Sequence, residues 1–143
     1  MIEKVIKEAY SWLGTRFKHQ GRVKINHNNK GGCDCLGLIM GLGLKTKLGK
    51  DLKEFDQKSY PKILKSNALL DEFDSHFVKN QSIAVGNILL IKVNNWPQHL
   101  AIVVEVEPEV LIIHSYIQAR KVVKQHLPKE WKENIAAIYK LGY

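Results

Sequence analysis

Cysteine and proline are scarce in this chain, two and four in 143 residues. Two thiols cannot build a disulfide scaffold, and a chain of this length forms one domain, residues 1–143, that buries roughly two thirds of its unfolded surface without such a staple. No stretch approaches the roughly 18 consecutive apolar residues of a membrane-crossing helix. Glu3, Lys4, Lys7 and Glu8 interrupt the place where a secretory signal needs an apolar core. Synthesis as a soluble cytoplasmic chain without a signal peptide is therefore expected. Repeats and low-complexity tracts are also missing, and a 45% apolar composition excludes disorder. Acidic side chains are outnumbered, 14 against 22 lysines and arginines, which leaves a net charge of +8. That surplus suits an anionic partner. The basic residues are dispersed and not interleaved with aromatics, so a nucleic-acid surface is not favoured.

Ile2, Val5, Ile6, Ala9, Tyr10 and Leu13 fall on one helical face, and Gly14 stands where a C-terminal cap belongs. Residues 15–32 lose all periodicity and read as a long surface loop. Asp34 is a good N-cap for an apolar helix over residues 35–48, in which Gly37, Gly41 and Gly43 would leave a face open to close packing. A third helix is expected within residues 60–77. The second half changes character: residues 87–93, 99–106, 109–115, 120–125 and 135–141 are short, β-branched and divided by turn residues. Helices first and strands second predict an α+β domain, N-terminal helices packed on one antiparallel β-sheet.

A nucleophilic thiol needs a lowered pKa, a general base in reach and a group to orient that base. Cys35 would sit in the first turn of its helix, where free N–H groups favour a thiolate; Cys33 precedes the cap. His99 opens one strand and His114 closes the next, and a hairpin turning near Pro108 would bring both to one end of the sheet. Spacing alone leaves them as a suggestive pair, because six histidines in 143 residues produce chance pairings.

The segments SWLGTRFKHQGR (11–22), GCDCLGLIMG (32–41), VGNILLI (85–91), QHLAIVV (98–104) and LIIHS (111–115) together resemble, in order, the NlpC-like cell-wall cysteine peptidases of the papain-like clan. Among these the chain most resembles the short peptidases of phage tails and gene transfer agents. The resemblance implies a papain-like NlpC-type fold with Cys35 as nucleophile, His99 as base and His114 as the residue orienting His99, and it implies no metal and no cofactor. It implies hydrolysis of peptidoglycan stem peptides, commonly after γ-D-glutamyl, with phage-like tail proteins as partners and the cell wall as place of action. His19 and Gln20 are candidates to help hold the oxyanion. Asp34 belongs to the family's site for the free amine of the stem, but Phe17 and Leu36 replace two hydroxyl residues of that site, which puts amine recognition in question. A Cys33–Cys35 disulfide would need an uncommonly tight ring, and a zinc site would need clamps other than Cys-x-Cys. A tail protein that keeps the fold without cutting, and an amidase or acyltransferase of the same clan, are the competing functions.

Overall fold

The computed structural model describes residues 2–46 and 60–141. The first helix, α1 (Ile2–Ser11), buries Val5 and Ala9 completely, as its apolar stripe requires. It ends two residues before Leu13, because the chain turns through residues 12–14 to Gly14 at φ +88°, a conformation that favours glycine. Trp12 follows the helix into the core, and its indole N–H donates to Glu8 at 3.0 Å.

The expected surface loop is instead a pinned layer. β1 (Arg22–Val23) pairs antiparallel with β2 (Gly32–Cys33), Phe17 bridges Cys33, and Arg16 bridges Lys121. Thr15 is fully buried, its hydroxyl oxygen accepting from the Ile25 amide at 3.1 Å and its carbonyl from Val122 at 2.8 Å. Buried backbone must find partners, and here the segment finds them in the edge strand of the sheet.

The second helix, α2 (Cys35–Thr46), is apolar nearly all round and buries Leu36, Leu38, Ile39, Met40 and Leu42, the pattern of an enclosed helix. The part expected beyond residue 46 lies outside the described residues. Its glycines do provide close packing: a side-chain carbon at Gly37 would overlap the Gly21 carbonyl, and one at Gly41 would overlap the Trp12 indole. α3 (Ala68–His76) falls inside the predicted stretch and packs Leu69 and Phe73 inward.

The remaining strands are β3 (Val78–Lys79), β4 (Asn87–Val93), β5 (Trp96–Glu105), β6 (Leu111–Tyr116), β7 (Lys121–His126) and β8 (Ile135–Lys140), with the short α4 (Lys129–Lys132) before β8. They form one antiparallel sheet in the order β3-β8-β4-β5-β6-β7. Asn94 and Asn95, both at positive φ, join β4 to β5, which is the turn that matches strand twist in a two-residue hairpin. Strand β5 consequently begins at Trp96, three residues before the expected start. The short β3 and α4 lack any periodic signal and were not foreseen.

Both faces of the sheet are covered. Ile88, Leu90, Leu100, Ile102 and Ile113 meet α1, α2 and α3 on one side; Leu89, Ile91, Ala101, Val103 and Ile112 form a second, smaller core that Trp131 of α4 packs against. Two-sided burial explains why β4 reads as an unbroken apolar run. Ile102 pairs with Ile113, so strand alternation sends His99 and His114 together to the second face.

Candidate active site

Cys35 is the first residue of α2, and its neighbour Asp34 caps that helix by accepting the Gly37 amide at 2.8 Å. The Cys35 thiol donates to the Gln98 carbonyl, Sγ to O 3.7 Å, one residue before His99. Ser115 Oγ donates to the Cys33 carbonyl at 2.7 Å and so ties the approach to α2 to strand β6. His99 Nε2 lies 2.7 Å from His114 Nδ1, and His114 Nε2 lies 2.8 Å from Gln125 Oε1 on β7. The two imidazoles sit in an aromatic box with Tyr116, which stacks on His114, and Trp131, which meets both edge to face. The structure thus joins His99 to His114 directly and brings the Cys35 sulfur against the strand that carries His99.

Burial sets the electrostatics. It pushes the Cys35 thiol up to about 12, and the Asp34 carboxylate adds to the rise, while the Leu100 and Leu36 amides pull the other way. A thiolate-favouring helix start was expected; desolvation outweighs it. His99 is pushed down to about 3 by burial and then by His114, and burial also lowers His114. At rest the thiol and both imidazoles are therefore neutral. Cys33, fully buried, is likewise pushed up to about 12 by desolvation. Access, rather than acidity, separates the two thiols. Iodoacetamide labelling of Cys35 should climb about tenfold per pH unit from pH 7 to 10, following the thiolate fraction, with Cys33 protected until unfolding. Mass mapping checks this, and a labelling plateau near pH 6 to 7 would show a low-pKa thiolate instead.

The same arrangement of helices and sheet occurs in solved structures. The peptidoglycan hydrolase RipB from Mycobacterium tuberculosis superposes with a TM-score of 0.64 at 15% identity, over 99% of this chain and 65% of its own length. The P60 domain of an antigen from M. avium subspecies paratuberculosis gives 0.59 at 15% identity, over 99% of this chain and 95% of that one. This is the papain-like NlpC/P60 fold. NlpC1 from Trichomonas vaginalis gives 0.62 at 15% identity, over 98% of this chain and 44% of its own. The chain spans less than two thirds of RipB and less than half of NlpC1. No family model and no curated protein matches the sequence.

Asp34 does more than cap. Oδ1 faces Arg22 Nη1 at 3.1 Å, and Oδ2 accepts the Gln20 amide at 2.8 Å and the Tyr60 hydroxyl. The buried carboxylate is thus neutralised and saturated from within. The Tyr60 phenol is itself pushed up, by burial and by Asp34. His19 Nε2 and Gln20 Nε2 both lie 2.9 Å from the Tyr60 carbonyl, so these two side chains hold the Tyr60 segment rather than an oxyanion. Leu36 is 4% exposed inside the helix-face core, without surface to offer a substrate. Phe17 is half-buried in the pinned layer, its amide donating to the Arg120 carbonyl at 2.8 Å. Sequence reasoning missed Arg22, Tyr60, Gln98, Gln125 and Trp131. The register Arg22↔Cys33 explains the first; the others come from segments distant in sequence and carry no local signal.

Proposed function

We propose that this chain is a cysteine hydrolase of peptidoglycan stem peptides, cutting an amide bond through a Cys35 thioester. The observation that supports it best is a thiol at a helix start, resting on the strand whose His99 is hydrogen-bonded through His114. Cys35 Sγ attacks the carbonyl carbon as its proton passes to His99. Collapse of the tetrahedral species breaks the C–N bond, and His99 returns the proton to the leaving amine. Water, activated by His99, then hydrolyses the thioester. The Cys35 and Leu36 N–H groups precede the first bond of α2, made by Leu38, and are the proposed donors for the oxyanion, the Gly37 amide being taken by Asp34. A γ-D-glutamyl bond, and carriage to the wall by a phage-like tail, complete the proposal. Purified sacculi digested with wild type and with Cys35→Ala test it: soluble muropeptides with new ends at γ-D-glutamyl must appear with the wild type alone. Release of free, uncut stems from muramic acid would assign an amidase, and no release would leave a binding protein.

The saturated Asp34 carboxylate bears on the substrate. A free stem amine would compete with Arg22 for it, each charged hydrogen bond contributing about 1.5–3 kcal/mol. Stems still attached to glycan bear no such amine and meet no such competition. Cleavage of a glycan-attached muropeptide should therefore be at least as fast as that of its freed peptide. A tenfold preference for the freed peptide, about 1.4 kcal/mol, would overturn this, as read by paired kcat/KM measurements.

A further inference from the structure

We infer that Gln125 is a positioning residue that fixes the tautomers of both histidines, leaving His99 a free lone pair on Nδ1 to take the thiol proton. Gln125 lies on β7 opposite Ile112, on the same sheet face as His114. Its amide orientation is set by its own surroundings: Nε2 donates to the His126 carbonyl at 3.4 Å, so Oε1 is the atom turned to His114 Nε2, 2.8 Å away. The reversed amide would set two carbonyl oxygens against each other.

Everything else follows by proton bookkeeping. A carbonyl oxygen accepts and cannot donate, so the proton of neutral His114 sits on Nε2 and its Nδ1 carries the lone pair. That lone pair faces His99 Nε2 at 2.7 Å, which must therefore be the N–H of neutral His99. No proton remains to be placed, and Nδ1 of His99 stays bare, with no described residue hydrogen-bonded to it. Burial keeps both rings neutral, which is the condition the sequence of donors requires. With the opposite tautomers, Nδ1 of His99 would carry the proton and could not act as a base. When His99 does take the proton, the Nε2–H to His114 and the Nε2–H to Gln125 strengthen in series.

The kinetic consequence rests on the hydrolase reading; the tautomers do not. The test is nitrogen-15 NMR of the full chain labelled at histidine, at pH 7.5, on wild type, Gln125→Leu and Gln125→Glu. Wild type should show Nε2–H on both His99 and His114. Gln125→Glu keeps an acceptor at the same place and should keep both tautomers, with turnover within about tenfold of wild type. Gln125→Leu removes the acceptor, so His114 should lose its single tautomer. Turnover should then fall about 10- to 100-fold, by analogy with loss of the partner that orients a metal-bound histidine, with KM little changed. Nδ1–H on either wild-type ring, or unchanged tautomers in Gln125→Leu, would overturn the inference. Tautomers as expected in wild type and shifted in Gln125→Leu, in a protein that cuts no sacculus, would instead overturn the hydrolase reading and leave Gln125 in its role.

Discussion

Cys35→Ala should lower sacculus hydrolysis by about a thousandfold or more, and His99→Ala should cost nearly as much. The size follows from the resting protonation states. With burial pushing the thiol up to about 12 and the imidazole down to about 3, both rest neutral, and in the proposed mechanism nucleophile and base act in one step. Removing either therefore removes the whole step. The double variant should be scarcely worse than either single one, since residues that act as a unit are strongly non-additive. His114→Ala should retain more activity, because His99 keeps its place in the Tyr116 and Trp131 box and loses only its orienting partner. Rates of muropeptide release by the four variants check the order.

Asp34→Ala should destabilise the fold by about 3–5 kcal/mol, the usual cost of stripping one partner from a buried ion pair. Asp34 is 5% exposed and serves Arg22, Gln20, Tyr60 and the Gly37 amide together. Loss of the helix cap falls within that figure, at about 0.5–2 kcal/mol. Arg22→Ala leaves the carboxylate buried without its cation and should also be costly. Adding it to Asp34→Ala should cost less than the sum of the two, because the second change removes an already orphaned charge. Urea melts of the three variants give the cycle. Full additivity would show that Arg22 and Asp34 are not coupled.

Most of the sheet was legible, since short β-branched runs between turn residues specify strands, including those buried on both faces. The hairpin that joins His99 to His114 was legible for the same reason: its two strands follow each other directly in sequence. Residues 15–32 were misread because their order comes from outside, through the Phe17 amide on Arg120 and Thr15 on Val122. Polar composition alone cannot distinguish such a pinned layer from a loop. The acidity of Cys35 was also misjudged. A helix start is visible in sequence, whereas the desolvation that overrides it arises when strand β5 covers the sulfur at Gln98 and Leu100. Gln125 and Trp131 had no signal, being ordinary residues made special by register and packing.

The most direct measurement is to mix the protein with soluble muropeptide, quench in acid within the first turnover, and map the cysteine peptides by mass. The predicted result is a stem-peptide acyl group on Cys35, absent from Cys33, lost on further incubation at neutral pH, and missing in His99→Ala at the same time point. Product release with no adduct in wild type, together with undiminished turnover by Cys35→Ala, would contradict a Cys35 thioester.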